Sequence, residues 1–258
     1  PEVAEMIGKV KGKADVVLAN NVIAHVPDLH GFAEGISMLL KKDGVAVIQF
    51  QYLVDFVENL EYDTVYHEHV SYVSLHPLVH LFRKYGLEIF DVKRFSGIHG
   101  GSVRIYLAKN RKQEKSVSNC LEYEKRSGFL SKDKYDSFAE NIKKHKSEIR
   151  KLLKILKAEG KRIVGYGAAA KSNTMLYYCE IGKDIIEYIA DKSEHKQGLF
   201  TPGMHIPVVR PEKILEDVPD YVVILAWNFA DEIMEQQRKY KESGGKFIIP
   251  IPKPKIVD

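Results

Sequence analysis

The spacing of apolar residues in the first part of the chain predicts a strand, a helix and a second strand. Residues 14–19 are a short apolar run closed by asparagines, which is typical of a buried strand. Residues 29–40 have helical apolar spacing, and segment 41–44, with its lysines and glycine, predicts the helix end. Residues 45–50 form another apolar run. This order predicts a crossover between two parallel strands of one sheet.

The pattern changes in the next part of the chain. Residues 54–74 are irregular and rich in polar and aromatic side chains, whereas residues 77–85 have helical spacing and precede a glycine. Residues 87–94 and 102–108 have the composition of strands. The glycine-rich segment 97–101 joins them, which predicts an antiparallel pair.

A second region begins after a charged stretch. Residues 111–160 are rich in Lys and Glu with apolar residues at helical intervals, and we interpret them as connecting helices with a solvated face. From residue 161 onward strands alternate with helices, and glycines follow the first strand, which is typical of a Rossmann-like domain. Its predicted strands are 163–167, 185–190, 221–226 and 247–251, and its predicted helices are 168–178 and 227–240.

The composition narrows the class of protein. The chain has 258 residues, 45% of them hydrophobic, which suits one large or two ordinary domains. The net charge of +4 suits an anionic small molecule and is too small to indicate nucleic-acid binding. The sequence contains no apolar run of roughly 18 residues and no signal-peptide pattern, so we expect no membrane association. Its two cysteines are too few for a disulfide framework or a thiolate zinc site, which predicts a cytoplasmic protein.

The stretch Tyr66-His67-Glu68-His69 concentrates reactive side chains. A histidine can remove a proton beside a carbonyl near neutral pH, and a tyrosine hydroxyl can donate to the resulting oxyanion. Glu68 can orient an imidazole or contact a substrate. A surface loop without a catalytic role is an alternative interpretation. Zinc is a weaker one, because alternate histidines lack the one-turn spacing of helical His-Glu-x-x-His sites, so we predict no metal.

Two further places have candidate binding residues. His25 follows the first strand at its carboxyl end, where open α/β sheets bind ligands, although a structural role also fits. The segment Gly165-Tyr-Gly-Ala-Ala-Ala-Lys171-Ser-Asn173 follows a strand, and its glycines and lysine suit an anion. It is neither a complete dinucleotide fingerprint nor a Walker loop, so a purely structural turn is the alternative. Asp191 lies where such folds place a ribose-binding acid.

Several segments spread over essentially the whole chain occur together in a known family. They are Asn20-Asn-Val-Ile-Ala-His25-Val-Pro, Tyr62-Asp-Thr-Val-Tyr-His-Glu-His69-Val-Ser-Tyr72, His99-Gly-Gly-Ser-Val-Arg104, the Gly165 to Asn173 segment, and Asp191 with Lys196-Gln-Gly198 and Thr201-Pro-Gly203. In this combination and order they resemble the sugar C-methyltransferases that act on nucleotide-linked 4-keto-deoxysugars.

The resemblance implies a particular α/β architecture. Residues 1–110 would form the second half of a sheet like that of S-adenosylmethionine-dependent methyltransferases, residues 111–160 a helical connector, and residues 161–258 a Rossmann-like domain. The sequence would then correspond to the carboxy-terminal portion of such an enzyme, without its cysteine-rich zinc module and its glycine-rich cofactor loop. Zinc binding is therefore not inferred from the resemblance.

The resemblance also implies a reaction. His69 would remove the proton beside the keto group, with Tyr66, Glu68 and His25 around the reacting carbon. The enolate would attack the methyl group of S-adenosylmethionine, which Asn20 and Asn21 would contact. The residues that it assigns to the nucleotide-sugar are Gly165, Gly167, Ala168, Lys171, Asn173 and Asp191.

Two other functions stay open at this point. The chain could be a nucleotide or nucleotide-sugar binding module without catalysis of its own. It could also be an NAD-dependent oxidoreductase that uses the Gly165 turn, although no Ser/Tyr-x-x-x-Lys pattern supports this. The sequence does not indicate the oligomeric state, the sugar, the methylated carbon or the nucleotide base.

Overall fold

A computed structural model describes residues 1–96 and 100–258, which form two compact units. Unit 1 comprises Pro1–Glu58 and His67–Asp136, and unit 2 comprises Asn59–Tyr66 and Ser137–Asp258. Each unit contains its own mixed sheet, so the protein has a mixed α/β fold. The short segment 59–66 therefore belongs to unit 2, although its chain neighbours on both sides belong to unit 1.

Unit 1 is built around a 4-stranded sheet with the order β1-β2-β4-β3. Its helices are α1 (Glu2–Lys11), α2 (Leu29–Leu39), α3 (Leu53–Glu58), α4 (Leu75–Arg83) and α5 (Lys115–Arg126), and its strands are β1 (Ala14–Asn20), β2 (Leu40–Gln51), β3 (Glu88–Phe95) and β4 (Ser102–Ala108). The parallel pairing of β1 with β2 and the antiparallel pairing of β3 with β4 confirm both predictions. Part of the predicted turn 97–101, and with it His99, lies outside the described residues.

The sheet of unit 1 has one well-buried face. Ile48 of β2 is fully buried and lies opposite Ile105 of β4, which is also fully buried. Val16 and Leu18 on the other face of β1 are 56% and 66% exposed. The apolar alternation of the strands thus places the core of unit 1 on one side of its sheet.

The helix predicted at residues 29–40 is confirmed as α2, but the turn predicted at residues 41–44 is wrong. Helix α2 ends at Leu39, and residues 41–44 form an irregular part of strand β2. Gly44 is buried there, and a Cβ atom on it would lie 2.9 Å from the carbonyl oxygen of Ala14. The glycine allows β1 and β2 to approach closely, whereas the sequence pattern suggested a helix cap.

Unit 2 contains a 6-stranded sheet with the order β10-β9-β8-β5-β6-β7. Its strands are β5 (Ile163–Tyr166), β6 (Ile189–Ala190), β7 (Val208–Val209), β8 (Tyr221–Ile224), β9 (Lys246–Ile249) and β10 (Lys255–Val257), and its helices are α7 (Ala170–Tyr178), α8 (Lys213–Asp217), α9 (Ala230–Gln236) and α10 (Arg238–Glu242), preceded by α6 (Lys132–Ala158), which begins in unit 1. The strands β5 to β9 are parallel to their neighbours, and β10 is antiparallel to β9.

Helices cover both faces of this second sheet. Ile149 and Leu153 of α6 and Leu176 of α7 belong to one buried cluster with Ile163 of β5. The apolar spacing of the charged stretch therefore correctly predicted a helix with one buried side. A second buried cluster on the other face contains Tyr240 of α10.

Two predicted elements of unit 2 are shorter than expected. The strand expected at 185–190 is extended only at Ile189–Ala190, because Ile185 and Ile186 are buried within a turn that starts at Gly182. The apolar run there reflects burial and not an extended backbone. The helix expected at 227–240 is divided into a 3₁₀ turn, α9 and α10.

Candidate functional site

The carboxyl end of β1 leads directly to the first candidate residues. Asn20 ends the strand, and Asn21 turns the chain with a φ of 55° while its N–H donates to the carbonyl oxygen of Gln49 on β2 (2.8 Å). A 3₁₀ turn follows, in which Ile23 is fully buried and His25 is exposed. Both asparagine side chains are exposed as well. The predicted cofactor residues and His25 thus share one edge of the sheet.

The structure brings His25 and His69 together. Their ring centroids are 4.9 Å apart, and the ring planes make an angle of 68°. The carbonyl oxygen of Ala24 accepts hydrogen bonds from the N–H groups of Val70 (2.8 Å) and Ser71 (3.2 Å), which fixes the chain beside this contact. His69 is half-buried. Its imidazole is therefore held by neighbours and is still accessible to a ligand.

Tyr72 is a member of this cluster that the sequence interpretation left without a role. Its ring lies 6.2 Å from the His69 ring at an angle of 77°, and 5.1 Å from the ring of Phe56. The rings of Tyr72 and His25 therefore both lie beside the His69 imidazole. Its position three residues after His69 in the family motif is the signal that points to it.

A buried carboxylate fixes the chain that follows Tyr72. Glu124 of α5 accepts hydrogen bonds from the N–H groups of Leu75 (2.6 Å) and His76 (3.1 Å) at the start of α4. It also accepts from the hydroxyl of Tyr52 (2.6 Å) and contacts Nδ1 of His76 (2.6 Å). Glu124 thus satisfies N–H groups that a helix start leaves open, and its role is structural.

His67 and Glu68 are exposed, unlike their neighbour His69. The Nε2 atom of His67 lies 4.0 Å from a carboxylate oxygen of Glu68. Such an exposed pair contributes little to stability. The structure thus places Glu68 next to His67, and its carboxylate is accessible to a ligand.

Tyr66 belongs to unit 2 and ends a segment that is anchored in its core. The hydroxyl of Tyr62 contacts Nδ1 of His145 (3.0 Å) and Sγ of Cys179 (3.2 Å), and Nε2 of His145 donates to the carbonyl oxygen of Pro250 (2.7 Å). Because a carbonyl only accepts, His145 has its hydrogen on Nε2, and the Tyr62 hydroxyl donates to Nδ1. Burial lowers the pKa of His145. Tyr66 itself is half-buried.

A buried acid, Asp63, and a half-buried base, Lys171, lie near the segment 59–66. Asp63 is fully buried, one oxygen accepts from Nε1 of Trp227 (2.7 Å), and the other has no partner among the described residues. Burial raises the pKa of Asp63 to about 6. Lys171 lies with Nζ 4.2 Å from the centroid of the Trp227 ring and donates to Oδ1 of Asn228, and burial lowers its pKa. Such perturbed groups often mark functional sites.

The sequence pattern predicts a substrate-binding role for Lys171 and gives no role to Asp63 or Trp227. The structure places the Lys171 amine inside unit 2, in contact with the indole ring. The sequence contains only weak indications that Asp63 and Trp227 belong to a site. Trp227 is the single tryptophan of the sequence and follows a strand, and Asp63 lies within the family motif.

The glycine turn after β5 is shaped by close packing. Gly167 has a φ of 95°, and a Cβ atom on it would lie 2.7 Å from the Cβ atom of Ala226. A Cβ atom on Gly165 would lie 2.9 Å from the side chain of Ile189. Both glycines are therefore required by the fold of unit 2, whether or not a ligand binds there.

Asp191 lies at the end of β6, as the Rossmann pattern predicted, but its carboxylate is engaged locally. Oδ2 accepts from the N–H of Ala168 (2.7 Å), and Oδ1 accepts from the N–H of Ser193 (2.8 Å). Nζ of Lys196 donates to the carbonyl oxygen of Ala168 (2.8 Å). The Ala168 N–H, which a phosphate would use, is thus bound to Asp191.

Asn173 on α7 differs from Asp191 in having an unused acceptor. Its Oδ1 atom is buried without a hydrogen-bond partner among the described residues, and its Nδ2 atom lies 3.5 Å from the carbonyl oxygen of Ala169. An unsatisfied buried oxygen is unfavourable unless a ligand or water donates to it. Asn173 is therefore the member of the predicted substrate set with the clearest open hydrogen-bonding group.

Two features are absent from the part of the chain that the structure describes. No group of three or more His, Cys, Asp or Glu side chains within residues 1–96 and 100–258 is arranged to hold a metal ion. None of the helices in the same ranges has the length and apolar character to span a membrane.

Comparisons with known proteins define the class. The family described as "C-methyltransferase C-terminal domain" matches residues 97–252, and the family described as "Methyltransferase domain" matches residues 2–92. The chain therefore belongs to the C-methyltransferase family, as its motifs indicated. It is similar to C-methyltransferase NovU of Streptomyces niveus, with 37% identity over 259 residues. The match covers 99% of this chain and 61% of that relative.

Proposed function

We propose that the protein is a C-methyltransferase, or the carboxy-terminal part of one. It transfers a methyl group from S-adenosylmethionine to the carbon beside the ketone of a nucleotide-linked 4-keto-deoxysugar. Membership of the C-methyltransferase family supports C-methyl transfer. The observation on which the chemistry rests is the contact of His25 with His69 beside the carboxyl end of β1.

His69 is the proposed base. A ring nitrogen takes the proton from the carbon beside the ketone, and the C–H electron pair moves towards the ketone oxygen to form the enolate. The edge-to-face contact with His25 and the ring of Tyr72 restrict the rotation of the His69 imidazole. Restricted rotation supports a base held in one orientation, which is how positioned groups accelerate proton transfer.

The other proposed catalytic residues lie in the same motif. The hydroxyl of Tyr66 donates to the enolate oxygen and stabilises its negative charge. The carboxylate of Glu68 contacts a hydroxyl of the sugar. The exposure of Glu68, which lies beside the exposed His67, supports this role. His25 acts on the orientation of His69.

The proposed cofactor residues are Asn20 and Asn21. Their exposed amides offer hydrogen-bond donors and acceptors at the carboxyl end of β1, which suits the polar parts of S-adenosylmethionine. When bound, S-adenosylmethionine supplies an electrophilic methyl group, which the enolate carbon takes as the S–C bond breaks and S-adenosylhomocysteine forms.

The finer architecture is also a proposal. The sheet order of unit 1 and the methyltransferase-domain match support residues 1–110 as the second half of a methyltransferase-like sheet. Residues 111–160 would be the helical connector. The parallel strands of unit 2 and the glycine turn after β5 support residues 161–258 as a Rossmann-like domain.

Unit 2 would hold the nucleotide part of the substrate. Asp191 maintains the shape of the Ala168 turn, and the buried Oδ1 atom of Asn173 has no hydrogen-bond partner among the described residues. Lys171 contributes positive charge from within unit 2. The residues proposed to bind the nucleotide-linked sugar are Gly165, Gly167, Ala168, Lys171, Asn173 and Asp191.

Methyl transfer to a panel of nucleotide-linked 4-keto-deoxysugars tests the proposal. The assay uses this chain and, where the gene encodes further residues, the full-length protein. We expect His69→Ala to lower the rate by roughly a hundredfold or more while the fold persists. His67→Ala is the matched control and should keep its activity. Full activity of His69→Ala would show that His69 is not the base.

A nucleotide-binding module without catalysis is the second candidate. A cleft of about 240 Å³ in unit 2, whose lining includes Gly167, Asp191 and Phe229, favours it. Thermal-shift measurements with nucleotide-sugars and S-adenosylhomocysteine separate the two candidates. Stabilisation by both ligands supports the methyltransferase, whereas stabilisation by the nucleotide-sugar alone supports the binding module. Stabilisation by NAD(H) instead would point to an oxidoreductase.

A further inference from the structure

One edge of the sheet in unit 1 contains a row of polar side chains. Asn20 of β1 lies opposite Gln49 of β2, and Gln49 lies opposite Arg104 of β4. Arg104 in turn lies opposite Lys93 of β3. Residues opposite each other on neighbouring strands point to the same face of a sheet. These four side chains therefore form one continuous row across the sheet.

This polar row lies at the carboxyl end of β1, and the row beside it is apolar and aromatic. In that next row on the same face, Leu18 lies opposite Val47, and Val47 lies opposite Tyr106. Asn20 is the last residue of β1. Open α/β sheets bind ligands beyond the carboxyl ends of their strands, so the polar row lies where a reactant is expected.

The guanidinium of Arg104 is held by two neighbouring side chains. Its Nε and Nη2 atoms both donate to Oε1 of Gln49, at 3.0 Å and 2.7 Å, and Gln49 is buried. The Cζ atom of Arg104 lies 4.9 Å from the centroid of the Phe95 ring. A guanidinium that is already stacked and bonded on one side loses little conformational freedom when it binds an anion.

Arg104 differs from Arg94 of β3 in the charge that surrounds it. Arg94 pairs with the carboxylates of Asp55 (2.5 Å) and Glu58 (3.2 Å). Arg104 is half-buried, and no carboxylate within residues 1–96 and 100–258 lies at ion-pair distance from it. A cation that is partly removed from water usually has an opposite charge beside it. A ligand is therefore a suitable source of the anion.

We propose that Arg104 is a further binding residue of the methyl-transfer site and that it binds an anionic oxygen group of a reactant. Its planar fork of N–H groups fits a carboxylate or a phosphate. The carboxylate of S-adenosylmethionine and the diphosphate of a nucleotide-linked sugar both have this chemistry. The first source requires only the methyltransferase activity, whereas the second rests on the proposed function.

Calorimetric titration distinguishes the two sources of the anion. The protein is this chain and, where the gene encodes further residues, the full-length protein. The cofactor probes are S-adenosylhomocysteine and 5′-methylthioadenosine, which lacks the carboxylate. The acceptor probes are uridine and thymidine diphosphates and the free nucleosides, which lack the phosphates. We expect Arg104→Met to weaken the binding of the anionic probe roughly tenfold or more in one of these sets, and to leave its uncharged counterpart unchanged.

Arg111→Met is the matched control for the loss of one positive charge. Arg111 also stacks on a ring, that of Phe90 (4.7 Å), but it is exposed and lies outside the polar row. This variant should bind every probe as the natural protein does. Equal binding of the anionic probes by Arg104→Met and the natural protein would overturn the proposal. An equal loss for the uncharged probes, or no binding of any anionic probe by the natural protein, would overturn it as well.

Arg104→Lys keeps the test decisive if circular dichroism shows that Arg104→Met is unfolded. This variant retains the positive charge and loses the planar fork, so we expect the anionic probe to bind roughly threefold to tenfold more weakly. Unchanged affinity in a folded Arg104→Lys would then overturn the proposal.

The outcome for Arg104 is separable from that for the proposed function. A protein that binds S-adenosylhomocysteine through Arg104 but methylates no nucleotide-linked 4-keto-deoxysugar retains this site and loses the proposed function. A protein that methylates such a sugar with the same KM for both reactants in Arg104→Met retains the proposed function and loses this site.

Discussion

Two adjacent segments, residues 59–66 and residues 67–72, differ in the kind of contact that fixes them in the protein. Residues 59–66 are built into unit 2 by side chains, since Glu61 and Asp63 are fully buried and Tyr62 bonds to His145. Residues 67–72 are held in unit 1 by their backbone, through the carbonyl oxygen of Ala24. Their side chains are exposed or half-buried. Segment 59–66 is thus fixed by its buried side chains, whereas segment 67–72 keeps its reactive side chains accessible.

This difference shows which positions should affect stability and which should affect chemistry. A side chain that is buried and fully bonded, such as Tyr62, cannot change partners without loss of folding free energy. A side chain such as His69, positioned by backbone hydrogen bonds and ring contacts, can exchange solvent for a substrate. Substitutions on the two sides of Tyr66 should therefore have separable effects.

The largest stability effect is expected from Tyr62→Ala. Removing this buried ring and its hydroxyl should lower the free energy of unfolding by about 4 kcal/mol, because a cavity forms and His145 loses a donor. Urea denaturation measures the loss. His67→Ala, on the exposed side, should stay within about 0.5 kcal/mol of the natural chain. Similar losses for both variants would remove the distinction between anchor and accessible segment.

A smaller effect is expected from Lys171→Met. The buried Asp63 carboxylate would lose the positive charge that opposes its desolvation, so we expect a loss of about 2 kcal/mol at pH 7.5. The exposed Lys183→Met is the control. Adding Asp63→Asn to Lys171→Met should recover most of the loss, since the uncompensated charge disappears. If the double variant is no more stable than Lys171→Met, the coupling of these residues is refuted.

The smallest predicted effect is on the pH dependence of the free energy of unfolding. Burial lowers the folded pKa of His145 below its ordinary value of 6.5, so its contribution to stability is present above pH 6.5 and is lost as pH falls below it. Asp63 changes the stability in the opposite direction as pH varies. Its folded pKa of about 6 exceeds its ordinary value of 3.8, so its contribution is lost as pH rises between these values.

Urea denaturation between pH 5 and pH 7 separates the two groups. Asp63→Asn removes the opposing contribution, so this variant should lose stability on acidification more steeply than the natural chain, by about 1 kcal/mol. His145→Gln should instead lose less stability on acidification than the natural chain. A gain of stability on acidification of Asp63→Asn would show that His145 is not held in its neutral form.

The sequence predicted those parts of the fold that depend on local spacing. The pairing of β1 with β2 and the buried side of α6 follow from apolar periodicity alone. Gly44 was assigned to a helix end because local sequence does not show that Ala14 packs against it. The apolar residues Ile185 and Ile186 suggested a strand because burial and extension favour the same side chains.

The candidate site was predictable to a similar degree. His25 and His69 were both singled out, one from the end of a strand and the other from its motif, and the structure places their rings in contact. The contacts of Asp63 with Trp227, and of Asp191 with Ala168, join residues that are distant in sequence. No local pattern encodes such contacts, so the local role of Asp191 was not expected.

Proton exchange at the carbon beside the ketone tests the role of His69 most directly. The chain is mixed with a nucleotide-linked 4-keto-deoxysugar in deuterium oxide without S-adenosylmethionine, and NMR follows the loss of the signal of that proton. We expect exchange with the natural chain and with His67→Ala, and a rate lower by roughly a hundredfold or more with His69→Ala. Exchange by His69→Ala at the rate of the natural chain would contradict the assignment of His69 as the base.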